Sequence, residues 1–297
     1  LTIALTNYCN FSCVYCYQNK NEKLMTTEVA NMIIEKIDRI LNDNIFEGIN
    51  IHYFGGEPLL NIPVLIYLDE NIKKITAKIG IVYKAFLTTN GSMLSKELLQ
   101  KVKFSSIQLT FDGLEKTHDR LRVSDHFHFK EEIELIENIM NFSQAKVLLR
   151  TNICKENKDE IIALHKYIFE KFGNERIEIN PNRTIKYHQD DSFEMLSVQE
   201  YAEVAYQIKL LWSEQKGKFE LPVPRSTPCK FPYGNAYAIS PEGYCTFCSG
   251  SMDQEKKYFF DVDIENKKMF SVRKECKKCN ILPLCLGGCI IQYNLRA

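Results

Sequence analysis

Cys9, Cys13 and Cys16 place three thiols in a short loop directly after the apolar run Leu1 to Leu5. Three thiolates are one short of a closed site, and a four-iron cluster takes four cysteine ligands. A Cys-x3-Cys-x2-Cys loop with no fourth cysteine nearby would leave one iron open to a substrate or cofactor. The competing readings are a structural zinc site that borrows a distant ligand, or plain buried thiols. Cys229, Cys245, Cys248, Cys276, Cys279, Cys285 and Cys289 form a second group near the other end. The chain has 11 cysteines, an odd number that suits no complete disulfide framework, and all but Cys154 fall in these two clusters. Such clustering reads as metal ligation rather than cross-linking. A zinc ribbon built from Cys276, Cys279, Cys285 and Cys289 alone would leave Cys229, Cys245 and Cys248 unexplained. Cys154 reads as a buried thiol.

These residues need a frame, and the hydrophobic pattern supplies one. Met25 to Asn42 carries Val29, Met32, Ile33, Ile37, Ile40 and Leu41 at spacings of three and four, with Thr26 and Thr27 as candidate N-caps, which predicts an amphipathic helix. Ile49 to Phe54 reads as a strand ending in Gly55-Gly56-Glu57-Pro58, followed by a helix from about 63 to 77. The alternation continues with strands at Ile81 to Thr88, Ser106 to Phe111, Lys146 to Thr151 and Arg176 to Asn180, the last stopping before Pro181. Helices are expected near 95–102, 130–141, 158–172 and 197–215. Strands each followed by a helix imply a parallel sheet covered by helices. In such α/β folds functional residues gather at the C-terminal ends of strands. Here those ends carry the first cysteines, Gly55 to Glu57, Thr89-Asn90-Gly91, Asp112-Gly113 and Asn152. From about Leu221 several prolines break any helix, and a small hairpin is expected around Pro241-Glu242-Gly243. The division is therefore 1–220 for the α/β part and 221–297 for a cysteine-rich module.

Bulk properties exclude more than they select. The 297 residues carry 38 Lys+Arg against 38 Asp+Glu, so no nucleic-acid or anionic-membrane surface is built on net charge. The apolar stretches are strand-sized, too short for a membrane span, and no basic n-region followed by an apolar h-region appears at the start. A cytoplasmic location is expected. Leu1 is not a start methionine, so the natural chain is expected to begin upstream.

Cys9-x3-Cys13-x2-Cys16, with the aromatic Tyr15 before the last cysteine, resembles the signature of radical S-adenosylmethionine (SAM) enzymes. That resemblance implies a partial (β/α)6 TIM-like barrel, an α/β fold, with one 4Fe-4S cluster whose open iron chelates SAM. One electron then yields a 5′-deoxyadenosyl radical. By the same resemblance Gly55, Gly56 and Glu57 receive the methionine amino group. The block from Thr110 through Asp112-Gly113 to His118-Asp119 and Arg122 is similar to one found in peptide-modifying members. It implies that Thr110 contacts SAM, in place of a serine, and that Arg122 pairs with its carboxylate. Asn152 and Thr89 to Gly91 are expected on the ribose or substrate side, with a turn or strand cap as the plain alternative. His118 is expected to pack or hydrogen-bond rather than ligate metal.

The C-terminal cysteines resemble the SPASM domain, which holds two auxiliary 4Fe-4S clusters. Precedent assigns Cys229, Cys248 and Cys289 to the first and Cys276, Cys279 and Cys285 to the second, and Cys245 is expected to complete the first. The last ligand of the second cluster would lie downstream of Ala297, so the module is expected to be truncated. The implied reaction is hydrogen abstraction from a precursor peptide, forming a thioether or carbon-carbon cross-link. A flavodoxin or ferredoxin would supply electrons, and the auxiliary clusters would carry one away. A formylglycine-forming sulfatase maturase is the alternative, but Ser249 stands where that group has its aspartate base, with Asp253 off register. A zinc-binding module without catalysis is the alternative of another class.

Overall fold

The computed structural model describes residues 1–173, 175–186, 192–217, 236–246, 248, 257–261 and 274–280. The strands are β1 (Thr2–Ala4), β2 (Gly48–Phe54), β3 (Val82–Thr88), β4 (Phe104–Thr110), β5 (Lys146–Ile153) and β6 (Ile177–Arg183). β7 (Ala238–Ile239), β8 (Tyr244–Thr246) and β9 (Lys257–Tyr258) follow. The helices are α1 (Thr27–Asp43), α2 (Ile62–Ile79), α3 (Lys96–Lys101), α4 (Glu115–Leu121), α5 (Phe129–Phe142), α6 (Ile161–Phe172) and α7 (Val198–Lys216).

The helices start where the chain offers a cap. The hydroxyls of Thr26, Ser95 and Ser197 accept from backbone N–H groups in the first turns of α1, α3 and α7, replacing bonds those donors cannot find inside the helix. α1 then buries Ala30, Ile33, Ile37 and Leu41, one stripe at helical spacing. α2 closes on Gly80 in the left-handed region, where its N–H returns to Thr76 O.

The sheet order is β6-β5-β4-β3-β2-β1-β7-β8-β9. Pairings from β6 to β7 are parallel, and only the β7–β8 and β8–β9 pairs are antiparallel. Along β2 to β5 one face is fully buried under the helices, through Ile51, Tyr53, Ala85, Leu87, Ile107, Leu109, Val147 and Leu149. The opposite face is half-buried and largely polar. Thr2, His52, Phe86, Thr88, Gln108 and Leu148 from it line a cavity of about 560 Å³. A parallel sheet normally reads apolar on both faces, so a polar inner face marks the side left for ligands.

Two expectations are corrected. β6 continues through Pro181, which pairs with Thr151; it can do so because β6 is the sheet edge, where a missing N–H need not break a second ladder. α4 was not foreseen, because its sequence Glu115 to Leu121 is mostly polar and its start has no side-chain cap. The expected hairpin forms as β7–β8, with Gly243 at φ 87° in its turn. It joins the barrel sheet directly, since β7 pairs with β1. The expected boundary at residue 220 lies outside the described residues. No described helix is long and apolar enough to cross a membrane.

Candidate active site

The cysteine loop leaves the sheet at β1 and is closed at its base. Asn7 N donates to Lys23 O at 3.1 Å, Met25 N to Leu5 O at 2.8 Å, and Thr6 bridges Leu24. Asn61 Nδ2 donates to both Leu5 O and Met25 O, at 3.1 and 2.9 Å, fastening the two ends together. The middle is fastened to the exit of α4, where Ser12 N reaches Val123 O and Val14 N reaches Leu121 O at 2.8 and 3.0 Å. Cys16 N donates to Cys13 O at 3.1 Å, so Cys13 and Cys16 share one tight turn.

Gly55 and Gly56 are needed because this loop runs against them. A Cβ on Gly55 would sit 2.3 Å from Thr6 O, and one on Gly56 would sit 2.1 Å from Tyr8 O. Gly56 N and Glu57 N donate to those two carbonyls at 2.9 and 2.8 Å. The close backbone approach expected at these glycines is thus made by the chain's own loop. Gly55 also has φ 138°, which favours glycine.

Glu57 is fully buried at the end of β2. Its carboxylate accepts from Leu59 N at 3.0 Å, Thr89 Oγ1 at 2.7 Å and Asn90 N at 2.7 Å. Burial pushes its pKa up to about 7 against the pull of those donors. Four lone-pair sites minus three donors leave one acceptor direction. Glu57 therefore ties the β2 and β3 ends together, with one acceptor direction left over. Asn90 Nδ2 lies 3.8 Å from Cys9 Sγ and bonds Asn10 Oδ1 at 2.8 Å, so the Thr89 to Gly91 turn also shapes the cysteine loop.

Cys9, Cys13 and Cys16 are each half-buried. Burial raises the Cys9 thiol and pushes Cys13 up to about 12, and each is raised further by the neighbouring thiols. The three lie on one short loop, with Cys13 and Cys16 in a single turn. Among the described residues no three Cys, His, Asp or Glu side chains converge on a single ion.

Below the loop, Tyr15 Oη donates to Asp112 Oδ2, and Asn152 N donates to Asp112 Oδ1 at 2.7 Å. Burial raises the pKa of both Tyr15 and Asp112. Tyr15 and Val14 pack against Leu121, Phe193 and Cys154, which places the lone thiol under the loop rather than in solvent. Asn157 Nδ2 bonds Asp112 O and Asn152 O, at 2.8 and 2.9 Å. Asn152 Oδ1 accepts from Arg150 Nε at 2.8 Å. Thr110, at the end of β4, is buried beside this group.

Arg122 caps α4 and is nearly fully buried. Its Cζ stands 5.4 Å from the Phe11 ring, within the cysteine loop. Burial alone would depress its pKa, but Glu132, Tyr15, Cys13 and Asp112 raise it well above the usual arginine value. His118 packs on Phe111 and Phe129 and faces Glu132, as a packing rather than ligating histidine. Glu132, His52, Thr88, Gln108 and Asn61 were not singled out by sequence reasoning. For Glu132 the available signal was an acidic residue on the same helical face as Phe129, Leu135 and Ile136.

In the C-terminal module Cys245 is buried in the main hydrophobic cluster, Cys248 and Cys276 are half-buried, and Cys279 is exposed. Cys279 N donates to Cys276 O at 3.0 Å, repeating the turn of Cys13 and Cys16. Cys229, Cys285, Cys289, Ser249 and Asp253 lie outside the described residues.

The residues fit an open cluster with a small zwitterion beside it. They offer three thiols on one short loop, one spare acceptor direction on Glu57, and a buried guanidinium whose Nε makes no hydrogen bond among the described residues.

The Radical SAM superfamily profile matches residues 3–168. An uncharacterised protein of Methanocaldococcus jannaschii is 34% identical over 123 residues, 39% of this chain and 39% of that protein. The radical SAM cyclopropyl synthase TigE of Paramaledivibacter caminithermalis is 24% identical, covering 98% of this chain and 67% of that protein. The chain spans half or less of several other curated relatives, GTP 3′,8-cyclases among them. Among solved structures, native anSMEcpe with bound AdoMet and Cp18Cys peptide superposes with a TM-score of 0.79 at 18% identity, covering 97% of this chain and 88% of that one.

Proposed function

The chain belongs to the radical SAM superfamily, and from that premise we propose that it is a maturase of a ribosomally made peptide, forming a thioether or carbon-carbon cross-link. The observation that carries the reading is one short loop after β1 that bears three thiols, with buried Arg122 against its Phe11 ring and buried Glu57 bonded through its backbone N–H to its Tyr8 carbonyl. The family uses SAM and a four-iron cluster, which together supply a 5′-deoxyadenosyl radical able to take a hydrogen atom from an unactivated carbon.

The chain's own residues do the holding and aiming. Cys9, Cys13 and Cys16 bind the cluster and leave one iron open. Glu57 takes the cofactor's ammonium in its remaining acceptor direction, and Arg122 takes its carboxylate as a two-pronged pair. Thr110 and Asn152, at neighbouring strand ends, bound the nucleoside side, and Tyr15 keeps the loop seated on Asp112. Holding the cofactor at several points fixes where the radical forms relative to its target. The polar inner face bearing His52, Thr88 and Gln108 is where the substrate lies.

The peptide as substrate is supported by likeness over nearly the whole chain to TigE and to a fold that binds a peptide in anSMEcpe. Two auxiliary clusters, on Cys229, Cys245, Cys248 and Cys289 and on Cys276, Cys279 and Cys285, are part of the proposal. They give the product radical's electron an exit, and a flavodoxin or ferredoxin supplies the first electron. The reading is tested by co-expressing the chain with short cysteine-containing open reading frames from its gene neighbourhood. Mass spectrometry should find a peptide that has lost two hydrogens per modification. An aldehyde at a Cys or Ser position, trapped by a hydrazine reagent because Ser oxidation also removes two hydrogens, would favour the sulfatase-maturase reading, and unmodified peptides from every neighbouring frame would contradict the proposal.

A further inference from the structure

α5 carries an anomaly on its buried face. Phe129, Ile133, Ile136 and Ile139 face the core at helical spacing, and Glu132 stands among them with no exposure at all. A buried carboxylate is costly unless it is paired and hydrogen-bonded. Glu132 Oε2 lies 3.1 Å from His118 Nε2 and 3.9 Å from Arg122 Nε, yet neither carboxylate oxygen makes an aligned hydrogen bond. Arg122 Nε and His118 Nδ1 are likewise buried without one. Four unsatisfied polar atoms in one pocket are more than a settled core tolerates. Their arrangement has a direction, because Glu132 sits behind the guanidinium, at its Nε end. Phe11 of the cysteine loop covers a face of it, and Cys13 and Tyr15 lie within reach of its charge.

We propose that Glu132, backed by His118, is a positioning residue that holds Arg122 from behind and aims its two terminal nitrogens at the carboxylate of SAM. This rests on the reading of Arg122 given under the proposed function and adds the element that steers it. A guanidinium offers five donors in a rigid fork. Fixing the Nε edge leaves the outer pair of N–H groups parallel and unspent, which is what a bidentate carboxylate requires. The pull of Glu132 is also compatible with a cation next to thiolates, since it keeps Arg122 from turning to pair with Cys13 instead.

The test compares SAM with decarboxylated SAM, which lacks only the group that Arg122 would grip. Equilibrium binding is measured on the full chain, anaerobically reconstituted, for wild type, Glu132→Gln, Glu132→Asp and Arg122→Gln, with iron and sulfide per chain as the folding control. Glu132→Gln and Glu132→Asp should each weaken SAM about tenfold, the scale on which a partner standing behind a ligand acts, and leave decarboxylated SAM unchanged. Should Glu132→Gln fail to load iron, Glu132→Asp, which keeps the charge but draws it back, carries the comparison. Equal losses for both ligands, or none, overturn the proposal and leave Glu132 a structural charge. A preference for SAM lost in Arg122→Gln but kept in both Glu132 variants overturns it alone. A preference that survives Arg122→Gln overturns the reading of Arg122 as well.

Discussion

At the scale of single residues, the site is a set of side chains and glycines each excluded from being anything else by a near neighbour. Gly56 is the plainest case, because the space for a Cβ is occupied by the Tyr8 carbonyl oxygen 2.1 Å away. Gly56→Ala must push the cysteine loop off β2. A cost of about 1–3 kcal/mol is expected from such overpacking, read as a lower urea midpoint, together with less iron bound per chain; wild-type values for both would contradict the account. The Gly55 to Glu57 motif was legible in the sequence, but its physical reason was not. That reason is a contact between segments some fifty positions apart in the chain, which no local pattern encodes. Glu132 was missed for a similar reason, since an acidic residue in an amphipathic helix is ordinarily placed in solvent until its partners on another helix are known.

At the scale of elements, alternation of apolar strands and amphipathic helices was enough to place six strands and six of the seven α-helices among the described residues. α4 escaped because its burial rests on Thr117, His118 and Leu121 alone, and β6 ran on because an edge strand tolerates proline. The helices also carry a pH dependence. Trp212 Nε1 on α7 donates to His165 Nδ1 on α6 at 3.1 Å, so the remaining proton sits on Nε2, which faces Thr151 Oγ1 of β5 at 3.1 Å. Burial lowers the His165 pKa to about 4, while an unfolded histidine titrates near 6.5. The unfolded chain therefore takes the proton first. The stability tied to neutral His165 is complete above about pH 6.5 and drains as the pH falls toward about 4. Between about pH 7.5 and about pH 5.5 this should cost about 1 kcal/mol, and His52, also lowered to about 4 by burial, should add a like amount. Urea midpoints at the two pH values should fall less for His165→Leu than for wild type; an equal fall would contradict the assignment.

At the scale of the whole molecule, two cysteine-bearing regions distant in sequence share one sheet, because β7 pairs with β1 on the side opposite β2. Lys23 at the base of the first cysteine loop also meets Glu242 of the β7–β8 turn at 2.6 Å. Cysteine spacing made both regions visible in the sequence, but their joining through β1 was invisible, since a parallel ladder between residues over two hundred positions apart leaves no local trace. The inner face was half legible, because strand ends carried the motifs while His52, Thr88 and Gln108 looked like ordinary strand residues. The claim on which everything else depends is that the Cys9 to Cys16 loop holds an open cluster that cleaves SAM. The most direct measurement incubates anaerobically reconstituted, dithionite-reduced protein with SAM and quantifies 5′-deoxyadenosine, in wild type and in a variant with Cys9, Cys13 and Cys16 all changed to alanine. Wild type should release 5′-deoxyadenosine, and the triple variant should release none while retaining the iron of the C-terminal module. Iron-loaded wild type that releases none, or a triple variant that still does, would contradict the account.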